Sequence, residues 1–508
     1  MSDASVAAAL RSPARLVVVE APAGCGKTFQ GAQYARDVAG SVGAARVLIL
    51  THTHAACDVF ASRTRGGDGS VDTRTIDSLI GQIAAVYHPS LGLPADTGAW
   101  ARSRKDGYNE LAAKVAKLLR ASPIIARSLA QRYPVVICDE HQDASAHQHE
   151  VMTALHEGGA SVRIFGDPMQ RIYGGRKKSE IDADNQRWQR LKEQAETFEQ
   201  LDEPHRWSGG SQALGRWLLA ARTTLRTGGQ IDLSGALPRG ISVIVADNQS
   251  PMHRGGYLLA KTDSRPIYAL VEATNSLLVL ASQNATVNAL RAFFGRRVPI
   301  WEGHMRESLA VLVGAIQLHR DDAVQIAQAV VTFLEQVTTG FSPSAYGNTL
   351  LCEVSGGCST RRTGKPATLQ TLARMILDQP NHKGAAKLLN RLHELRETDP
   401  AFDPIKLDYC REFWDAVRLA KFDDPAEGFV EISRRRSYSR PPLPAKAIST
   451  IHKAKGLECN DVLLMPCDAQ HFGDTPAARC RLYVAMSRGK RSLTFVVSRK
   501  SPSPLLSL

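Results

Sequence analysis

The sequence predicts an α/β protein built on two parallel sheets, each interrupted by a mainly helical insertion. Three observations carry that expectation. Short apolar runs rich in β-branched residues recur along the chain, continuous rather than alternating, as strands covered on both faces are. They fall into one set before about residue 200 and another after it, and 508 residues exceed a single simple core. Two stretches, at about 84–132 and 297–440, carry helical periodicity instead.

The strand runs come in order as Leu16–Val19, Val47–Leu50, Val135–Cys138, Val162–Phe165, Ile241–Val245, Leu277–Leu280, Val462–Met465 and Leu493–Val497. In the first helical stretch Leu111, Val115 and Leu118 recur at helical spacing, while Lys114, Lys117 and Arg120 lie off that stripe. The second includes Asp321–Val337 and Lys383–Leu395, with a Gly/Ser/Thr loop at Ser355–Lys365 and the Pro/Arg/Ser segment Ser433–Pro444 punctuating or ending it. The expected division is 1–83 with 133–200 as a first domain and 84–132 as its insertion. A second domain is expected at 201–296 with 441–508, and its insertion at 297–440.

A hydrophobic fraction of 43% and a charged fraction of 22% are ordinary for a globular protein, but a net charge of +13 is not. It favours a polyanionic partner, either nucleic acid or an anionic membrane surface. No run approaches the roughly eighteen apolar residues of a membrane span. The N-terminus lacks a basic segment followed by an apolar core, so no secretory signal and a cytoplasmic location are expected. No lipidation signal or basic amphipathic helix points to a membrane partner. Nine cysteines are scattered without a C-x-x-C pair, and the closest grouping, Cys352 with Cys358, lacks metal-site spacing; free thiols are expected.

The chemistry starts after the first strand run. Ala21-Pro22-Ala23-Gly24-Cys25-Gly26-Lys27-Thr28 joins a strand to a helix, the context of a phosphate loop. Small residues let backbone N–H groups curl around phosphates at a helix N-terminus. Lys27 would reach the β- and γ-phosphates of a nucleoside triphosphate, and the Thr28 hydroxyl would ligate Mg²⁺. In Val135-Val136-Ile137-Cys138-Asp139-Glu140 an apolar strand delivers Asp139 to hold Mg²⁺ and Glu140 to activate the attacking water. A strand ending in a solvated acidic turn is the bland alternative for this pair taken alone; its match to the upstream loop argues against it.

Those two elements define an NTPase. The class is narrowed by a series in order: Thr51-His52-Thr53-His54-Ala55-Ala56, Thr75-Ile76-Asp77-Ser78-Leu79, Asp139-Glu140-His141-Gln142-Asp143 and Gly166-Asp167-Pro168-Met169-Gln170-Arg171-Ile172-Tyr173. Pro204-His205-Arg206-Trp207, His452-Lys453-Ala454-Lys455-Gly456-Leu457-Glu458 and Arg481–Arg488 complete it. The sequence thereby resembles the superfamily 1A DNA helicases of the UvrD/Rep/PcrA family, not the Pif1/RecD-like subgroup. The resemblance spans Ala21 to Arg488, nearly the whole chain.

It implies two RecA-like domains and ATP with Mg²⁺ as cofactors. Gln142 and Gln170 would sense the γ-phosphate, Arg206 and Arg488 would neutralise it in the transition state, and Glu458 would contact the ribose. Thr53, His54, Ser78 and His452 would touch DNA, largely at its backbone. The sequence also departs from the family. Gly174 and Gly175 stand where an aromatic usually stacks on a base, leaving Tyr173, Trp207 or Trp188 for that role, Trp188 reading more as core. No adenine-reading Gln motif precedes Arg15. Phe29 replaces the usual arginine after Thr28 and His205 the usual tyrosine, so both would stack on the nucleotide base.

The resemblance implies a 3′→5′ single-strand DNA translocase or helicase acting on single-stranded or tailed duplex DNA, in repair, recombination or phage defence. The alternative is a DNA-stimulated ATPase serving as sensor or regulatory subunit of a partner nuclease. Short insertions resemble the compact helicase subunits of Gabija-type antiphage systems. About twenty residues follow Arg488, so nuclease activity is expected only from a partner. Basic residues of the insertions (Arg102, Arg104, Lys105, Arg361, Arg362 and Arg434–Arg436) are candidates for duplex phosphates or for a solvated face.

Overall fold

The chain was analysed as a computed structural model that describes residues 2–43, 45–65, 70–102, 104, 106–173, 178–249, 256–302, 306–438 and 443–508. It divides into two compact units, Met1–Thr286 with Thr450–Leu508, and Val287–Ser449.

Among the described residues the first unit contains two larger parallel sheets and a two-stranded parallel pair, Ile231–Asp232 with Leu506–Ser507. One has six strands among the described residues: β1 (Leu16–Glu20), β2 (Val47–Thr51), β3 (Val71–Thr75), β4 (Val135–Cys138), β5 (Ser161–Gly166) and β6 (Thr197–Gln200), in the order β3–β2–β4–β5–β1–β6. Every ladder is parallel. Successive side chains serve opposite faces: Leu16, Val18, Leu48, Leu50, Val136 and Ile164 enter one apolar cluster. Val17, Val19, Val47, Ile49, Ile137 and Phe165 enter another with Val6, Leu10 and Ala35. Burial on both faces is why these strands read as continuous apolar runs. The edge strands β3 and β6, which read Val-Asp-Thr-Arg-Thr and Thr-Phe-Glu-Gln, escape that criterion because an edge faces water.

The second sheet of this unit pairs Leu277–Ala281, Cys459–Cys467, Gly489–Val497 and Ile241–Val245 in that order. All eight expected strand runs are therefore strands.

In the stretch 84–132 the helices Thr97–Arg102, Gly107–Ala121 and Pro123–Arg132 cover one face of the first sheet, with Leu111, Val115 and Leu119 in its cluster. Leu118, on the expected stripe, packs half-buried against the cluster beside Leu119. Arg104 lies over the Trp100 ring at 4.6 Å, and Lys105 lies outside the described residues.

The second unit is mainly helical, from Glu307–Leu318 and Ala323–Val337 through His382–Thr398 to Pro425–Tyr438. Asp322 caps the helix Ala323–Val337 by accepting from the N–H groups of Val324 and Gln325, and Asn381 does the same for His382–Thr398. Arg362 pairs with Glu353 (Nε–Oε1 2.6 Å). The helix Pro425–Tyr438 runs into the segment Ser433–Pro444 expected to punctuate or end this stretch, with no proline before Pro441; residues 439–442 lie outside the described residues. All nine cysteines are free thiols. Among the described residues no helix is long and apolar enough to cross a membrane, and no group of His, Cys, Asp and Glu has metal-site geometry.

Candidate functional site

Because β5 lies between β1 and β4, the loops after these three strands meet at one carboxyl edge, where parallel α/β sheets place their ligands. The loop after β1 turns through Gly24 (φ 75°) and Gly26 (φ 86°), both in the left-handed region. A Cβ on Gly24 would also lie 2.7 Å from the Trp207 ring. Ala21 N donates to Gly166 O (2.9 Å) and Ala23 N to the Tyr483 hydroxyl (2.9 Å), fixing both ends of Ala21-Pro22-Ala23. The helix α2 (Lys27–Ala39, with α1 at Ser2–Arg11) starts with no side-chain cap, so its first-turn N–H groups suit an anion. Cys25 is buried and its thiol is pushed up to about 12 by burial, which makes it an apolar filler rather than a reactive group.

At the end of β4, Asp139 N donates to Leu50 O (2.9 Å), and Glu140 adopts φ 54°. Lys27 Nζ forms an ion pair with Glu140. Gln142 Nε2 donates to Glu140 Oε2 (2.5 Å), while its Oε1 accepts from Asp167 N (3.0 Å). Gln170 Nε2 donates to Asp167 Oδ2 (2.9 Å). The two adjacent acids are driven apart. Burial opposes charge on Glu140, but Lys27 and Lys455 overcome it and hold the carboxyl well below the usual range. Asp139 is pushed up to about 6 by burial, with the Glu140 charge adding and Lys27 opposing. Its Oδ1 is buried with no hydrogen-bond partner. A buried carboxylate with one oxygen unpartnered fits a hard divalent cation such as Mg²⁺.

Arg206 and Arg488 approach from the loop Pro204–Ser208 and from the end of the helix Pro476–Met486. Arg206 N donates to Gly24 O (3.0 Å); its guanidinium pairs with Glu458 (2.8 Å) and donates to Ser487 O (2.7 Å). Arg488 is 2% exposed and donates to Val484 O (2.9 Å) and to Ser487 Oγ (2.7 Å). Burial, then the charge of Arg206, push its guanidinium down to about 10. Two crowded guanidiniums with one carboxylate between them suit a polyphosphate. Of the residues expected at the base, His205 Nε2 lies 2.5 Å from Asp3 Oδ2 and Phe29 is 58% exposed.

The expected DNA contacts divide. Tyr173 donates its hydroxyl to His452 O (3.0 Å), and His452 Nε2 lies 3.0 Å from Ile172 O. Thr53, His54 and Ser78 stand exposed at the starts of the helices His54–Thr64 and Ile76–Val86, where the Thr53 hydroxyl accepts from Ala56 N (3.2 Å). Two stacking candidates are corrected: Trp207 (1% exposed) donates to Gly489 O (2.7 Å), and Trp188 (9%) lies in the sheet cluster, because each ring fills a core space. Tyr173, 40% exposed, remains; Gly174 and Gly175 lie outside the described residues.

Sequence reasoning missed the residues that join these groups. Lys455 pairs with Asp143 and donates to Gln170 O (2.8 Å), and its ammonium lies 5.0 Å from the Tyr173 ring centre. Arg222 reaches both Asp167 and Glu20 (2.7 Å each). Asp143, Asp167 and Lys455 stood inside the quoted segments and were legible; Glu20 and Arg222 carried no signal.

Residues 97–192 match the UvrD/REP helicase N-terminal domain, and 447–496 match the UvrD-like helicase C-terminal domain. The RecBCD enzyme subunit RecB of Mycobacterium tuberculosis (strain ATCC 25618 / H37Rv) is 34% identical over 76 residues, 15% of this chain and 7% of that protein. Its counterpart from Mycolicibacterium smegmatis is 35% identical over 71 residues, 14% of this chain and 7% of that one. The match thus spans 7% of the length of these relatives. The Pif1 helicase from Candida albicans overlays 97% of this chain and 94% of its own at a TM-score of 0.38 and 11% identity. The chain is therefore UvrD-like over the two matched segments.

Proposed function

We propose that the chain is an ATP-dependent 3′→5′ single-stranded DNA translocase or helicase that acts on single-stranded or tailed duplex DNA. The observation that carries the reading is the gathering of Lys27, Asp139, Glu140, Gln142 and Gln170 at one sheet edge, with Arg206 and Arg488 brought up beside it. Its other supports are the UvrD-like segments and the net charge of +13. We keep the division into two RecA-like domains with insertions at 84–132 and 297–440 as part of it, and a cytoplasmic place in repair, recombination or phage defence.

The mechanism follows from the pairs. Lys27 masks Glu140 until the β- and γ-phosphates of ATP offer it more negative charge. Thr28 and Asp139 would hold Mg²⁺, which would supply charge neutralisation at the phosphates. Glu140, freed and oriented by Gln142, takes a proton from the attacking water. Arg206 leaves Glu458 for the γ-phosphate beside Arg488, so that hydrolysis and the position of their loops become linked. His205, Phe29 and Glu458 hold base and ribose, while Tyr173, Thr53, His54, Ser78 and His452 face the strand.

A second reading is favoured by one observation: the matched relatives are by name subunits of a larger enzyme. On it the chain is a DNA-stimulated ATPase beside a partner nuclease, as in Gabija-type systems. Strand displacement by the purified chain on 3′-tailed and 5′-tailed duplexes separates the two. Unwinding of the 3′-tailed substrate alone is expected. Unwinding from the 5′ tail overturns the polarity, and DNA-stimulated hydrolysis without unwinding transfers support to the second reading. No DNA-stimulated hydrolysis sinks both.

A further inference from the structure

Glu20 ends an otherwise apolar strand, Leu-Val-Val-Val-Glu, buried at every position, and immediately precedes the phosphate loop. An apolar residue would be cheaper there, because burying a carboxylate is unfavourable unless it is well paired. Its partners are Lys192 (3.9 Å) and, on the helix Gln212–Arg226, Arg226 and the 7% exposed Arg222, of which only Arg222 also reaches Asp167. One guanidinium spans two sites: Nη2 donates to Glu20 Oε1 (2.7 Å), and Nε and Nη2 donate to Asp167 Oδ1 (3.1 and 2.7 Å).

Asp167 is fully buried, and its oxygens divide the work. Oδ1 accepts from Arg222 and from Met169 N (3.1 Å). Oδ2 is thereby left to accept from Gln170 Nε2 (2.9 Å), and the Gln170 amide is oriented, its second N–H left to donate to a phosphate oxygen and its carbonyl oxygen left to accept from water. The same Asp167 donates its N–H to Gln142, which holds Glu140. The helix that carries Arg222 is packed on the segment carrying Arg206: a Cβ on Gly215 would lie 3.0 Å from Pro204 Cβ and 3.0 Å from Trp207 Cβ. Arg206 and Arg222 therefore belong to one tightly packed segment.

We propose that Arg222 is a positioning residue for hydrolysis, which sets Gln170 through Asp167 and ties that setting to the segment bearing Arg206. The proposal rests on the ATPase reading above. A buried ion network often adds little net stability over apolar residues of the same shape. What a three-point guanidinium supplies instead is direction, which a lysine or an apolar residue cannot reproduce.

The test is a double-mutant cycle on the full chain: Arg222→Met, Gln170→Ala and the pair, with steady-state ATP hydrolysis measured at saturating oligo-dT. Arg222→Met is expected to lower kcat on the order of tenfold with KM within about twofold, because the γ-phosphate setting is lost and binding is not. The pair is expected to be no worse than Gln170→Ala alone. Arg222→Lys is expected to restore kcat only partly, and it carries the same cycle if Arg222→Met does not fold. Multiplying effects, or an unchanged kcat, overturn the proposal while leaving wild-type DNA-stimulated turnover, and so the ATPase reading, intact. Absence of wild-type turnover overturns that reading and this inference with it.

Discussion

The sheet edge that holds Lys27 and Glu140 and the surface that carries Thr53, His54 and Ser78 differ in what fixes their side chains. At the edge, Asp139, Gln142, Asp167, Gln170 and Arg488 are each less than 9% exposed, and nearly every polar group is held by another. A buried charge must find a partner, so each position constrains the next. Thr53, His54 and Ser78 face water, which satisfies them in any direction, and the Thr53 hydroxyl is engaged only in capping its own helix. Tyr173 stands between the two regimes, exposed at its ring yet tied to His452 through its hydroxyl.

The largest expected effect probes the edge. Glu140→Gln removes the proposed base but keeps the shape and the Gln142 hydrogen bond, so kcat should fall about 10³-fold while ATP and DNA binding stay within about twofold. Turnover and equilibrium binding measured on the same preparation check it; near-wild-type hydrolysis would show that the base is elsewhere. A smaller effect is expected at the intermediate position. Tyr173→Ala should weaken oligo-dT binding about tenfold, the loss of one base stack, with hydrolysis in the absence of DNA unchanged. Unaltered affinity would remove Tyr173 from the DNA path and leave the stacking role unfilled.

The smallest effect tests the exposed face. Thr53→Ala should reduce unfolding stability by about 1 kcal/mol through the lost cap. If Thr53 also meets a phosphate, Thr53→Asp, which can still cap, should keep that stability and weaken DNA binding at low salt. Equal DNA affinity in wild type and Thr53→Asp would reduce Thr53 to a cap alone.

How much could be read beforehand follows the same division. The eight apolar strand runs were legible because burial on both faces writes itself into consecutive residues, whereas β3 and β6 were not, since an edge strand needs no such run. Leu111, Val115 and Leu118 all pack on the cluster as their spacing suggests, while Leu119, fully in it, was not named, because periodicity locates a stripe only to within its width. Trp207 shows the opposite limit. The glycines at Gly174 and Gly175 left a stacking role open to it, yet Gly24 leaves room for its ring and Gly489 O accepts from its Nε1.

The sequence by itself determined the strand–loop–helix around Lys27, the acid pair after β4 and the order of the segments from Ala21 to Arg488, since these are local patterns of a few consecutive residues. Only the tertiary structure decided which charges hold one another. Glu20, Asp167 and Arg222 are remote in the chain, and no local pattern announces a contact formed when a parallel sheet brings β1 beside β5 and a later helix delivers one guanidinium to both. Pairing of buried charge is a property of the folded interior, where water no longer offers each group its own partner.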